Sequence, residues 1–294
     1  MITKDRPDSA LRTLDRLAAL PERPPVVVVD NGLDRAVTEA LRAHPVGAQV
    51  LAPGRNTGAL GRNLAVRRAE TPYVAFSDDD SWWRAGALRR AADLLDAHPR
   101  LGLLAARSLV GPEQRDDPLN ELLAHSPLPP EHGLPGRPVL GFLGCACVVR
   151  RCAHLEAGGY HPLLFFGAEE TLLAYDLATA GWGVSYDPSV TAYHHPDPGV
   201  RPGRAARLRR NALLTDWLRR PVHVAVRNTV ALSVAAVQGD AVASAALGEA
   251  AVRLPAALRL RRRLPLRVER SVRLLEENAH APSAYADVAE GGKP

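Results

Sequence analysis

Apolar positions in the first two-thirds of the chain switch repeatedly between a helical and an extended period. Leu11, Leu14, Leu17 and Leu20 recur every three residues behind Asp8 and Ser9, either of which can cap a helix. The run PPVVVVDNG follows, a short β-branched stretch closed by turn residues, which predicts a buried parallel strand. Helices are then predicted over residues 34–43, 58–69 and 83–97, and strands over 48–51, 71–80 (TPYVAFSDDD) and 101–106. Strands alternating with helices of ~10–15 residues mean βαβ units, so the fold class is α/β around a parallel sheet.

Residues 111–138 hold seven prolines and show no period, which predicts a long surface loop. Loops of that length are uncommon unless functional. A strand over 139–149, helices over 151–157 and 169–180, and short strands over 184–186 and 190–193 come next. After HHPDPG the character changes. Residues 203–278 read as successive helices rich in Arg, Ala and Leu, interrupted at Pro221, Pro255 and Pro265, and the residues from about 280 read as frayed. The chain therefore divides into an α/β domain (1–200), a basic helical extension (201–280) and a tail (281–294).

Charge sharpens that division. The net charge of +5 conceals a segment, 200–273, with 16 Arg against 4 acidic residues, while the first 199 residues are net acidic. A basic block of this kind binds nucleic acid or an anionic membrane, or is a solvated helical face. No series of stacking aromatics is interleaved with the arginines, which argues against nucleic acid. The stretch 251–264 is amphipathic and suits peripheral contact with an anionic leaflet, at ~1 kcal/mol per basic residue, or packing against the α/β domain. With 294 residues, 46% of them apolar, the composition excludes a disordered chain, a collagen or a coiled coil. Cys145, Cys147 and Cys152 are odd in number and lack a fourth ligand at zinc-site spacing, so all three are expected to be buried thiols. Neither a signal-like apolar region nor an apolar run of ~18 residues is present, and the expected compartment is the cytoplasm.

Three clusters carry candidate chemistry. Asp78, Asp79 and Asp80 close a predicted strand, where ligands bind in open α/β sheets. Adjacent carboxylates repel one another, and Mg²⁺ or Mn²⁺ relieves that repulsion while also taking phosphate oxygens; a solvated turn is the bland alternative. Asp30 ends the strand VVVVD and suits a nucleoside contact, or else a local turn bond. Glu169 and Glu170 with His194 and His195 offer a general base and a metal ligand, although a Glu pair at a helix start also simply complements the helix dipole.

Taken together these residues resemble the inverting family 2 glycosyltransferases over residues 2–196. The carrying segments, in order, are TKDRP, VVVVDNG, RNTGALGRNLAVRRA, FSDDD and the stretch from GCACVV through GGY, the acidic pair and the final YHH. The resemblance implies a GT-A fold, a Rossmann-like mixed, mainly parallel sheet flanked by helices. It also implies transfer of a sugar from a nucleoside-diphosphate donor (dTDP-, UDP- or GDP-linked) to a glycan, a lipid-linked sugar or a small molecule. Thr3, Asp5, Arg6, Asp30, Asn56, Arg62, Asp78 and Asp79 would hold the donor. Asp80, Asp78 and His194 would hold Mg²⁺ or Mn²⁺, and Glu170, with Glu169, would supply the base for single-displacement inversion. The segment RLRRNALLTDWLRRP further resembles bacterial relatives of the rhamnosyltransferase type.

Three departures stand out. The acidic pair is Glu-Glu where Glu-Asp is usual, Leu172 replaces a frequent Asp, and only Met1 and Ile2 remain of a first strand of about five or six residues. Buried backbone groups left unpaired cost on the order of 1–3 kcal/mol each, so the natural chain is expected to start upstream of Met1 or this one to fold poorly. Two other classes compete: a non-catalytic nucleotide-sugar or membrane-binding relative, and a metal-dependent nucleotidyltransferase or phosphohydrolase.

Overall fold

The computed structural model describes residues 1–197, 199 and 202–278. The chain begins with β1 (Ile2–Thr3), α1 (Pro7–Ala18), β2 (Val27–Asp30), α2 (Arg35–Ala43), β3 (Gln49–Leu51) and α3 (Leu60–Arg68). It continues through β4 (Tyr73–Ala75), β5 (Ser81–Trp83), α4 (Ala87–Ala97) and β6 (Leu101–Val110). The Pro-rich segment holds β7 (Arg115–Asp116), α5 (Pro118–Ala124) and β8 (Arg137–Pro138). Then come β9 (Cys147–Arg150), α6 (Arg151–Glu156), α7 (Glu169–Thr179) and β10 (Gly183–His194). Four helices close the described chain: α8 (Arg204–Arg219), α9 (Val222–Val237), α10 (Ala241–Arg259) and α11 (Leu266–Asn278).

β3, β2 and β1 pair in parallel, and β1 reaches the end of β4 through the Ile2–Asp78 bridge. The remaining order is β4-β9-β6-β10-β5. The fold is the expected mixed α/β sheet, but with a different balance. β6–β10 is parallel, whereas β9 runs antiparallel to both β4 and β6, and β5 runs antiparallel to β10. One core joins Leu14 and Leu17 of α1 and Leu94 and Leu95 of α4 to one face of the sheet. A second joins Val66, Ala153, Leu173 and Leu177 to the other.

Side-chain caps account for three of the helix starts. The carboxylates of Asp34, Asp117 and Asp240 accept backbone N–H bonds at the starts of α2, α5 and α10. The Asp117 cap, with Pro118 behind it, also explains why the expected loop 111–138 contains a helix. The expected strand 139–149 shrinks to Cys147–Arg150, because residues 144–146 form a turn and a bend. The two strands expected over 184–186 and 190–193 form one strand, β10, with a register shift between Asp187 and Thr191. Pro255 does not break its helix: it lies on the exposed side of α10, where only one ladder bond is lost. The expected amphipathic stretch 251–264 is consequently the end of α10 plus a non-helical link.

Cys145 and Cys147 are buried free thiols, whereas Cys152 is exposed, since it opens the outer face of α6. The C-terminal helices pack on the α/β domain through charge as well as apolar contacts. Arg219 grips Asp176 of α7 with two bonds of 2.6 and 2.9 Å, and buried Arg220 is held by Glu269 and Glu276 of α11. The expected boundary at 200–201 and the tail 281–294 lie outside the described residues.

Candidate active site

The carboxyl ends of β1, β2 and β4 lie side by side, and the loops leaving them form one end of the site. Thr3 closes β1 and is buried; its Oγ1 donates to Asp79 Oδ2 at 2.8 Å. Asp5 follows with φ of 54°, a conformation that turns its exposed side chain back beside β2. Asp30 is fully buried and accepts from Gly32 N at 2.9 Å and Thr38 Oγ1 at 2.6 Å. Both oxygens thus already accept a local bond. A Cβ on Gly32 would lie 2.8 Å from Asp5 Oδ1 and 3.0 Å from Asp30 Oδ1, so the two carboxylates converge on this glycine. Asn56 is exposed and caps its own turn by accepting from Gly58 N.

The three aspartates after β4 point to three different partners. Asp78 Oδ1 accepts from Arg62 Nη2 at 2.5 Å. Asp79 is buried against Thr3 and Arg6, and its backbone carbonyl accepts from Ser9 and Thr13 of α1. Burial pushes the Asp79 carboxyl up to about 6, against the opposing pull of the Thr3 hydroxyl and Arg6. Asp80 accepts from Arg6 Nη1 at 2.9 Å and lies 3.6 Å from His194 Nε2. The β10–β5 register sets His194 opposite Ser81, and His195 N donates to Asp80 O at 2.8 Å.

A divalent cation can be tested against this set. Asp80 and His194 form a neighbouring carboxylate–imidazole pair, and His194 Nδ1 is a buried nitrogen without a hydrogen-bond partner. That donor pair suits a hard cation completed by phosphate oxygens. The expected trio is not assembled: Asp78 is engaged by Arg62, and no three His, Cys, Asp or Glu side chains gather at ion-binding range among the described residues.

Arg62 links this end to the other. It rises from α3 fully buried, stacked near the rings of Tyr160 and Phe166, with Nη1 3.8 Å from Glu169 Oε1. Glu169 and Glu170 open α7 behind a strained loop in which Phe165 and Ala168 both have positive φ. Glu169 is buried with neither carboxylate oxygen hydrogen-bonded, and burial together with Glu170 holds its carboxyl well above the usual range. Burial also raises the half-buried Glu170, while the Arg62 guanidinium opposes the rise. A Cβ on Gly144 would stand 2.6 Å from Glu170 Oε1 and 3.3 Å from Arg62 Nη2, so glycine makes room for both.

Residues that set this geometry also come from α8, inside the segment RLRRNALLTDWLRRP, which by itself assigns Arg210 and Asn211 no role. Asn211 is fully buried and donates to the carbonyls of Leu164 (2.9 Å), Phe166 (3.3 Å) and Gly167, and Arg210 adds a bond to Leu164. From the other side, Ala59 N donates to Phe165 O at 2.7 Å. The loop that aims Glu169 and Glu170 is thereby clamped between α3 and α8.

Residues 1–157 match the family described as Glycosyl transferase family 2. An N-acetylglucosaminyl-diphospho-decaprenol L-rhamnosyltransferase of Mycobacterium tuberculosis is 26% identical over 267 residues, covering 75% of this chain and 86% of that relative. The mannosyltransferase PcManGT of Pyrobaculum calidifontis, solved with GDP-Man and Mn²⁺, superposes with a TM-score of 0.56 at 19% identity, over 95% of this chain and 86% of its own. GalNAc-T7, solved with UDP, GalNAc and Mn²⁺, gives 0.54 at 12% identity over 74% of this chain, which spans 47% of that larger one.

Proposed function

The chain belongs to glycosyl transferase family 2, and from that premise we propose that it transfers a sugar from a nucleoside-diphosphate donor to an acceptor hydroxyl with inversion at the anomeric carbon. Membership sets aside the nucleotidyltransferase and phosphohydrolase readings. The observation that carries the proposal is Arg62, a buried cation spanning Asp78 on the strand-end side and the Glu169–Glu170 pair on the α7 side. One site thus joins a place for a diphosphate to a place for a base.

In this reading Asp5 faces the nucleoside with buried Asp30 fixed behind it by Gly32 and Thr38, and Thr3, Arg6 and Asn56 border it. Asp80 and His194 would hold Mg²⁺ or Mn²⁺, which supplies positive charge to the departing diphosphate oxygens. Glu170 takes the proton from the acceptor hydroxyl as that oxygen attacks the anomeric carbon opposite the leaving group. The new C–O bond forms as the bond to the diphosphate breaks. Burial and the neighbouring Glu170 hold the Glu169 carboxyl well above the usual range, which disfavours a second negative charge beside the base. The L-rhamnosyltransferase relative favours a deoxyhexose as the transferred sugar and a lipid-linked diphosphate sugar as acceptor.

A thermal-shift panel of dTDP, UDP and GDP, each with and without Mn²⁺, tests the donor side. A nucleotide at about 100 times its Kd adds ~2.7 kcal/mol, which moves the midpoint by several degrees. One nucleotide is expected to give a Mn²⁺-dependent shift, and Glu170→Gln is expected to keep that shift while abolishing sugar transfer. Silence of all three nucleotides overturns the donor site; full turnover by the Glu170→Gln enzyme overturns the base.

A further inference from the structure

The C-terminal helices leave one face uncovered. α9 turns Val224 and Ala225 inward, and bonds from Asn228 to Asp216 and from Trp217 to Thr229 tie its neighbouring side to α8. The opposite side, where a surface helix ordinarily carries polar residues, is a stripe of valines. Val222, Val226, Val230 and Val234 recur every four residues and Val237 extends them, all between 45 and 89% exposed. α9 has no acidic residue. α10 packs beside it across a three-residue link and presents Val252, 81% exposed.

At the far end of this hairpin the pattern changes to leucine mixed with arginine. Leu258, Leu260 and Leu266 are exposed, and between them stand exposed Arg259, Arg262, Arg263 and Arg267. None of these four arginines joins an ion pair among the described residues, and no carboxylate lies between residues 250 and 268. α10 is long and apolar enough to cross a membrane by length and composition. Its Ala243, Ala246, Ala250 and Ala257 are nevertheless buried and its Glu249 is bonded to Arg210 of α8, so it is anchored along the protein surface.

We propose that this face of α9 and α10 docks onto the surface of an anionic lipid bilayer, the valines entering the acyl boundary and the arginines meeting the headgroups. A second copy of the chain is the poorer occupant. A self-pairing surface must be self-complementary, and this one offers arginines without carboxylates; an anionic leaflet supplies the missing charge. The inference goes beyond sugar transfer and stands without it, because its test contains no nucleotide.

The test is co-sedimentation of the full chain with vesicles of phosphatidylcholine alone and of phosphatidylcholine mixed with phosphatidylglycerol. Binding is expected on the mixed vesicles and should weaken as salt rises. The double variant Val226→Asp, Val230→Asp should bind at least tenfold more weakly. Arg262→Ser and Arg263→Ser should each cost about fivefold. All these side chains are exposed, so the circular-dichroism melt should match the parent and show that a loss is not unfolding. The proposal is overturned if the parent stays in the supernatant with both vesicle types, or if the valine variant binds as the parent does. It is also overturned if light scattering shows a dimer that the valine variant splits, which would make a second copy the occupant.

Discussion

Glu170 and its neighbours show how a single missing side chain can set the chemistry of a site. Gly144 is where a Cβ would press on Glu170 Oε1 at 2.6 Å, and the same position faces Arg62. The atom met is the far end of a flexible side chain, so Gly144→Ala should leave the fold intact and displace the carboxylate instead. Moved off Arg62, Glu170 keeps the burial that raises its pKa and loses the charge that opposes the rise. A base must be deprotonated to act, so the rate falls as pH drops through that raised pKa. For the parent, the acid limb of kcat/KM is therefore expected above the usual glutamate range. In Gly144→Ala it should lie higher still, with kcat/KM at neutral pH down about tenfold or more, equivalent to ~1.4 kcal/mol or more of barrier. A pH–rate series on the two proteins, with an unchanged melting temperature as control, decides it. An acid limb at the same pH in both would show that Arg62 does not tune the base.

Among the elements, α8 matters most to the site, and it illustrates what sequence patterning reveals and what it leaves hidden. Local patterning places α1 through leucines at every third residue and β2 through an unbroken β-branched run, because those signals lie within the segments themselves. Strand ends gather in an α/β sheet, which is why Asp30 and Asp78–Asp80 are legible as candidates from the sequence, whereas Thr3 is a candidate through the family resemblance alone. Partners distant in sequence were not legible. Nothing local distinguishes Asp79, which turns inward to Thr3, from Asp78, which turns to Arg62. Pro255 read as a helix break because a proline's tolerance depends on which side faces solvent. Asn211 lay within a segment that reads as an arginine-rich helix, and its role depends on carbonyls 44 to 47 residues away. That role is testable. Asn211→Ala leaves the half-buried Phe166 and Gly167 carbonyls without this donor, while Leu164 O keeps its bond from Arg210. Each orphaned group costs on the order of 1 kcal/mol or more, so urea denaturation should show a loss of about 2 kcal/mol. Because the clamp holds the loop ahead of Glu169, the acceptor KM should rise while the nucleotide-induced thermal shift persists. Equal loss of both would make α8 a general support of the fold.

For the molecule as a whole, the sheet has a weak seam beside β1. Only two residues bridge β2 and β4, and next to them is a cavity of about 390 Å³ lined by Met1, Pro25, Val27, Ala65, Tyr73 and Phe76 among others. The Met1 amine closes the end of this gap by donating to Val27 O at 2.7 Å. Burial lowers that amine from an ordinary 8.0 to about 5, against the raising effect of Asp78. Between those two values the unfolded chain binds more protons than the folded one, so stability is expected to rise with pH across the window. At pH 7 the amine must shed its proton on folding, at ~1.4 kcal/mol. An extension of about five apolar β-branched residues ahead of Met1 would replace this amine with a peptide N–H and offer β2 and β4 a shared neighbour. The extended chain should melt several degrees higher, since ~1–3 kcal/mol is recovered for each backbone group that gains a partner. Its stability should also lose the upward slope between pH 5 and 8. Equal midpoints with an unchanged slope would mean that the added residues bypass the gap. A higher midpoint with the slope retained would mean that they stabilise the fold from elsewhere and leave the seam as it is.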